Sequence, residues 1–413
     1  LGVPVQTFSI RRASPKDIPS DQKAEESQTF YVLEHCKEPR RFIRAHLTKL
    51  ATTPAAYFKT LKLAWSLRQA GMRSMLYQLF YFAEAVVLAD ELQRRGIAHL
   101  HNHFGDSSCS VALLTSTLSG ISYSFTEHGP AIFFEGKHWH LDEKIARAQF
   151  VIAISHFCRS QLMLFSAAEH WSKIAIVHCG VHPGRYKVGA TSKTTKKVLF
   201  VGRLEPVKGV LVLLEAIARL KQRHPDMQLT VVGDGSSRGA IEAEAQRLGL
   251  TGMVEFVGYK TQGEVADLLA RTDMLVLPSF AEGVPVVLME AMASGKPVIA
   301  SRVAGVQELV VDGVAGFTVP PGDRISLAER IERLFADTVA RERMGQAGRQ
   351  MVEQSFNVDV EARSLAQLFA GAQQGVGASA KAGQAAGPNG NPMRNSQKIA
   401  LADRLGQAPG HTA

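Results

Sequence analysis

Glu282 and Glu290 stand eight residues apart in AEGVPVVLMEAMASGKPVIAS, residues 281–301, with Pro285 between them and Gly295-Lys296-Pro297 closing the run. A carboxylate accepts hydrogen bonds from hydroxyls and so suits a sugar diol. Pro285 has no backbone donor to lose and fits the first turn of a helix, and a helix start is a natural place for phosphate. Val286 to Met292 can continue that helix, and Gly295 reads as its stop. On these residues alone a plainer reading is equally open, in which Glu282 complements the helix dipole and Glu290 is a solvated surface residue.

A second loop favours the chemical reading. In FVGRLEPVKG, residues 200–209, Gly202 allows close backbone approach, and Arg203 and Lys208 place two cations at the mouth of the next helix. A forked guanidinium, an ammonium and helix N–H groups together can hold a diphosphate. The turn VVGDGSSRG, residues 231–239, is a weaker signal of the same kind. Taken together these loops fit a nucleoside diphosphate sugar, with Glu282 facing the sugar, Glu290 facing a ribose, and the helix start facing phosphate.

The elements that must position these residues alternate. Strands are expected at 198–201, 229–232, 254–257, 274–277, 298–301 and 316–319, with helices at 208–220, 238–248 and 263–271 between them. That is a Rossmann-like parallel sheet, whose ligands bind beyond the carboxyl ends of the strands. Upstream, VPVQTFSIR at 3–11 alternates as a strand would. Residues 40–95 are helical in period with breaks near Pro54 and Gly71. Strands are expected at 99–104, 122–127, 150–154 and 174–178. The polar stretch 183–196 reads as a linker. The tail from Gly371, rich in Gly, Ala, Gln and Pro, reads as disordered with a weak helix near 397–405.

A chain of 413 residues exceeds one ordinary core. Its four cysteines, Cys36, Cys109, Cys158 and Cys179, have neither metal-ligand nor disulfide-framework spacing, which suits a reduced cytosolic setting. No run of about 20 apolar residues or signal-peptide pattern is present. Net charge is +9, and residues 36–75 hold nine basic residues and one acidic, together with Phe42, Tyr57, Phe58 and Trp65. Such a region can lie on an anionic bilayer, or be a solvated face with its aromatics in the core. No nucleic-acid motif accompanies the charge.

The segments FVGRLEPVKG, GDG, EGVPVVLMEAMASGKPVIAS and GVQELVVDGVAGFTVPPGD resemble the donor domain of family 4 retaining glycosyltransferases with the GT-B fold. Through HLHNHFGDSS, SFTEHGPAIF and VIAISHFCRSQL, the N-terminal half resembles the branch serving bacterial exopolysaccharide assembly, of the colanic-acid type. The resemblance implies two Rossmann-like domains facing across a cleft: an acceptor side at 1–188, a donor side at 196–354, a helix crossing back at 355–370, and a tail at 371–413. It implies a hexosyl transfer from a nucleoside diphosphate sugar to a lipid-linked or polysaccharide acceptor, at the inner face of the plasma membrane. Arg203 and Lys208 would bind the diphosphate and stabilise it as it leaves. Glu290 would bind ribose, Glu282 the transferred sugar, and the backbone of Gly283, Val284, Pro285, Val286 and Val287 both sugar and phosphate. The base would lie near Gly258 and Tyr259, and His128 across the cleft near the reacting sugar. This sequence departs from the pattern at Ala131, where an acidic residue is frequent. Relatives also carry a strand and loop before the segment matching VPVQTFSIR, so the resemblance implies a missing first β-α unit.

No D-x-D occurs in the sequence, so no metal or other cofactor is expected; Arg203, Lys208 and the helix dipole would take a cation's place. His99, His101 and His103 share one strand face and could chelate zinc, but no further ligand is evident, and His103 with Phe104 fits a strand end lining the cleft. Other readings are a GT-B-fold sugar-nucleotide epimerase and a non-catalytic remnant that binds nucleotide sugar or a partner. No G-x-G-x-x-G follows a strand, which speaks against a dehydrogenase.

Overall fold

A computed structural model of the chain describes residues 1–12, 23–188 and 195–382, with 373–382 described by backbone alone. Two parallel sheets carry the architecture. The larger contains β7 (Lys197–Val201), β8 (Gln228–Val232), β9 (Val254–Gly258), β10 (Met274–Leu277), β11 (Val298–Ser301) and β12 (Gly316–Val319), in the order β12-β11-β10-β7-β8-β9. The smaller has β3 (His99–His103), β4 (Ser122–Glu127), β5 (Val151–Ala153) and β6 (Ile174–Ile176), in sequence order. A third, minimal pair joins β1 (Phe8–Ser9) to β2 (Phe30–Tyr31). Both main sheets are covered by helices, so β10, β11 and β12 are buried along their whole length. That is why they read as continuous apolar runs without alternation.

The expected strands and helices of residues 196–320 lie within a residue or two of their places. The long helical region also divides as expected, into Pro39–Thr52, Pro54–Ser66 and Met72–Arg94. Proline opens the first two, and Gly71, at φ +106°, opens the third. The strand expected over 3–11 shrinks to Phe8–Ser9, because its partner, Phe30–Tyr31, offers only two residues to pair with. Residues 183–188 are no free linker: Pro183–Arg185 forms a 3₁₀ turn and Tyr186 is buried, while 189–194 lie outside the described residues.

Leu1–Gln373 forms one compact unit. After Asn357 the chain returns to the smaller sheet. Val181 pairs with Asn357, and Leu365, Leu368 and Phe369 pack on Phe150, Ile152 and Val177. The returning helix is Val358–Ala382, so the expected start of the tail at Gly371 is corrected to beyond Ala382, with apolar residues at 365, 368, 369 and 372 seating the helix, while 383–413 lie outside the described residues. Of the second unit, Gln374–Ala413, the described part is the end of this helix. The weak helix near 397–405 falls outside the described residues.

Parallel pairing in register puts His99, His101 and His103 beside Ser122, Ser124 and Thr126. The histidines hydrogen-bond to hydroxyls: His99 with Ser122 and Ser124 at 2.9 and 2.7 Å, and His101 with Ser124 and Thr126 at 2.7 and 2.9 Å. Phe150 and Phe369 cover these rings. Burial therefore lowers His99 to about 4 and His101 to about 3. The unfolded chain, with histidine near 6.5, binds more protons in between, so stability rises with pH across that window. Lowering the pH from 6.5 to 4 is expected to lower the urea midpoint, less steeply in His101→Gln. Parallel pH profiles for the two proteins would overturn this.

Candidate active site

In the six-stranded sheet the chain runs outward from β7 through β8 to β9, then returns to the other side of β7 for β10, β11 and β12. The crevice between β7 and β10 is the topological switch point, where α/β sheets hold ligands. Gly202, Arg203 and Lys208 follow β7, and the segment Pro278–Pro285 follows β10. These two loops meet directly. Lys208 Nζ lies 2.6 Å from Glu282 Oε1, and Ser279 Oγ donates to the same oxygen at 2.6 Å. Glu282 is buried, with 8% of its surface exposed. Arg203 is exposed and has no ion-pair partner among the described residues.

The neighbouring loops are held close by backbone contacts. Gly202 N donates to Val232 O at 3.0 Å, and Gly233 N donates to Gly258 O at 2.9 Å. Gly233 has φ +133°, and a Cβ there would collide with Gly202 O, so only glycine fits. Beyond Gly258, Tyr259 is 72% exposed.

Glu290 is not beside Glu282 but on the helix Val286–Ala293, anchored from elsewhere. Tyr186 OH donates to Glu290 Oε1 at 2.8 Å, and Gln262 Nε2 donates to the same oxygen at 3.1 Å. Burial, and then the Glu290 charge, raises the Tyr186 hydroxyl well above its ordinary range. Pro285 caps the helix rather than occupying its first turn, leaving the N–H groups of Val286 and Val287 at its start. Val284 is buried, and Val286 is 43% exposed.

His128 comes from the smaller sheet, just after β4. Its Nε2 is 2.8 Å from His103 Nδ1, its Nδ1 is 3.6 Å from Cys179 Sγ, and the Phe104 ring lies 5.0 Å away. Burial, reinforced by His103, lowers His128 to about 4, so it is neutral at pH 7. Phe104 is half exposed and held at φ +69°. Beneath this cluster, Glu127 accepts from the backbone N–H groups of Gly105, His128 and Gly129 at 2.7, 3.1 and 3.2 Å. The fully buried Lys144 donates to Gly105 O and Asp106 O, both at 2.8 Å. Burial raises the Glu127 carboxyl to about 7, against the pull of its backbone donors, and lowers Lys144.

The two sheets meet at this point. A Cβ on Gly283 would strike His128 O, so glycine lets the β10 loop lie against the β4 loop. Glu308 reaches the helix His156–Leu164 and accepts from His156 N at 2.7 Å and Phe157 N at 2.8 Å, capping its start. The structure thus joins Lys208 to Glu282, and Gly283 to His128. It sets Glu290 apart with Tyr186 and Gln262. Tyr186, Gln262, Ser279, Glu127, Lys144 and Glu308 carry no spacing signal. Tyr186 in particular was hidden inside a stretch that reads as linker.

Residues 186–351 match the family model described as glycosyl transferases group 1. Glycogen synthase of Mycobacterium tuberculosis is 32% identical over 206 residues, 49% of this chain and 50% of that one. The amylovoran biosynthesis glycosyltransferase AmsK of Erwinia amylovora is 31% identical over 232 residues, 54% of this chain and 56% of that one. The chain thus spans about half the length of these two relatives. An uncharacterised glycosyltransferase of Methanocaldococcus jannaschii is 30% identical over 271 residues, 63% of this chain and 71% of that one. The chain belongs to the group 1 glycosyl transferases. Among solved structures, this glycosyltransferase is similar to HepE of Anabaena in complex with UDP, with a TM-score of 0.63, 22% identity, and 70% and 82% of the two chains covered. Sucrose-phosphate synthase of Thermosynechococcus elongatus has a TM-score of 0.63 and 26% identity, covering 73% and 81%. The fold of the group 1 chain is therefore that of the GT-B glycosyltransferases.

Proposed function

We propose that the protein transfers a sugar from a nucleoside diphosphate sugar to a lipid-linked or polysaccharide acceptor in bacterial exopolysaccharide assembly, with retention of anomeric configuration. The observation that carries this reading is the Lys208–Glu282 pair at the switch point, on a loop whose Gly283 lies against the backbone carbonyl of His128 from the smaller sheet. Similarity to AmsK supports the exopolysaccharide class, and similarity to HepE, solved with UDP, supports a nucleoside diphosphate. Residues 1–188 would form the acceptor side and 196–354 the donor side, with the protein peripheral at the inner face of the plasma membrane.

In this reading Arg203, Lys208 and the start of the helix after Pro285 neutralise the departing diphosphate, in place of a metal ion. Glu282 accepts from the sugar hydroxyls, and Lys208 and Ser279 keep its carboxylate aimed at the crevice. Glu290 accepts from the ribose, oriented by Tyr186 and Gln262. The base lies near Gly258 and Tyr259. His128, neutral and hydrogen-bonded to His103, meets the reacting sugar from the other sheet. The acceptor oxygen attacks from the side the diphosphate leaves, and the leaving phosphate oxygen takes the acceptor proton.

Calorimetric titration of UDP, GDP and ADP tests the donor site. One nucleotide is expected to bind, and Glu290→Ala to weaken it about 10- to 100-fold, the worth of hydrogen bonds to a charged group. Glu290→Gln, which can still accept from Tyr186, controls for packing. A folded wild-type chain that binds no nucleotide would sink the donor site and leave a partner-binding remnant ahead. An epimerase would return free sugar-nucleotide isomer instead of a glycosylated acceptor.

A further inference from the structure

The helical layer ahead of β3 carries a surface that donor binding does not use. Between Glu38 and Glu84 the chain has no acidic residue and eight Lys or Arg. On the helix Pro54–Ser66, Phe58, Lys62 and Trp65 follow at intervals of four and three, so they share one face. Phe58 is 58% exposed and Trp65 46%. On the first turns of Met72–Arg94, Met72, Leu76 and Phe80 repeat every four residues, and Met72 and Phe80 are 73% and 60% exposed. Basic side chains flank both stripes. Lys59 and Lys62 are exposed, Arg68 lies 4.3 Å over the Trp65 ring, and Arg73 hydrogen-bonds Tyr77 OH at 3.2 Å. The opposite faces of the two helices supply the core, through Leu63, Ala64 and Leu67 and, further along, Phe82 and Ala85. The outward aromatics are therefore surplus to folding.

Topology places this surface. Met72–Arg94 runs into β3 through a short connection, so its start lies toward the carboxyl end of that strand, where His103, Phe104 and His128 are. Side-chain contacts agree: Gln69, in the turn between the two helices, donates to His138 O at 3.3 Å and meets His140 Nε2 at 3.2 Å, both in the segment that follows β4.

We propose that the hairpin of Pro54–Ser66 and the first two turns of Met72–Arg94 docks on an anionic lipid bilayer. An acid-free, basic rim around exposed Trp, Phe, Met and Leu is complementary to anionic headgroups over acyl chains. Docking there holds the first sheet's cleft end toward the membrane, where an amphiphilic acceptor would present its glycan. The inference deepens the lipid-linked acceptor reading and names the surface that reading requires.

Cosedimentation of the full chain with vesicles tests it. Phosphatidylcholine vesicles containing about one-third phosphatidylglycerol are expected to carry the protein down and to blue-shift its tryptophan emission, whereas phosphatidylcholine alone should do neither. High salt should weaken the binding. Phe58→Ser/Trp65→Ser/Phe80→Ser and, separately, Lys59→Glu/Lys62→Glu should each reduce partitioning about tenfold or more. Nucleotide titration should remain that of wild type in both, which also shows that they fold. The proposal is overturned if wild type ignores anionic vesicles, if both variants still sediment like wild type, or if the face instead joins two copies into a dimer that the triple variant disperses. Failure to bind nucleotide would count against the donor site and not against this surface.

Discussion

Lys208→Met is expected to lower sugar transfer about 100- to 1,000-fold, the usual loss when one preorganised donor to a developing oxyanion is removed. The ammonium sits 2.6 Å from Glu282 Oε1, at the carboxyl end of the central strand and in the crevice opened by the strand-order reversal. In the free protein it balances a buried carboxylate. With donor bound, the same charge would be shared with the diphosphate, and its share grows as the phosphate leaves. An unbranched side chain one atom shorter and without charge removes that growth while keeping most of the packing. Glu282 still accepts from Ser279, so the loop keeps one of its two ties. Breaking a largely buried ion pair costs up to about 3 kcal/mol of stability, so folding must be checked by circular dichroism alongside. The measurement is transfer of labelled sugar from the donor into lipid-extractable product at saturating donor. Lys208→Arg should recover part of the rate. A Lys208→Met enzyme that turns over like wild type would exclude Lys208 from leaving-group stabilisation.

Lys144→Met is expected to destabilise the N-terminal half by about 2–6 kcal/mol, at about 1–3 kcal/mol for each backbone carbonyl left without its donor. Lys144 is fully buried, and its ammonium holds the carbonyls of Gly105 and Asp106. From the other side Glu127 holds the amide of Gly105 together with those of His128 and Gly129. One residue is thereby gripped at both its N–H and its C=O, and the residue before it, Phe104, is kept in the left-handed region. Without the ammonium, the carbonyls of Gly105 and Asp106 lose their donor. Urea unfolding followed by tryptophan fluorescence should show the loss, and amide exchange should speed at Gly105 and His128. Glu127 holds the same residue from its other side, so adding Glu127→Gln should cost less than that change does alone, giving a coupling of about 0.5–3 kcal/mol. An unchanged urea midpoint in Lys144→Met, or strict additivity in the double variant, would show that no clamp exists.

The hidden parts of the site have a common cause. Glu127 and Lys144 lie 17 positions apart in the chain, and a lysine on a seven-residue helix gives no hint that its amine turns inward. Glu308 stood within a quoted motif, yet nothing local shows that it caps a helix starting at His156, on the other sheet. His99, His101 and His103 looked like metal ligands by spacing. What their spacing does not show is the strand pairing, which brings serine and threonine hydroxyls against the rings of His99 and His101. The amino-terminal strand was overextended for a related reason: alternation describes what a segment can do, and only a partner of sufficient length lets it do so.

By itself, the amino-acid sequence determined the βα alternation, the boundaries of the second sheet, the loops carrying Gly202, Arg203, Lys208 and Glu282, and the helix carrying Glu290. Those features depend on local period, helix-start chemistry and glycine punctuation, all short-range. Tertiary structure alone decided the strand order that makes β7 and β10 neighbours. It also joined Lys208 to Glu282 across 74 residues of chain, moved Glu290 to Tyr186 and Gln262, and set His128 against Gly283. Contacts between residues so far apart are chosen by how whole sheets and helices pack, and no window of sequence records that choice.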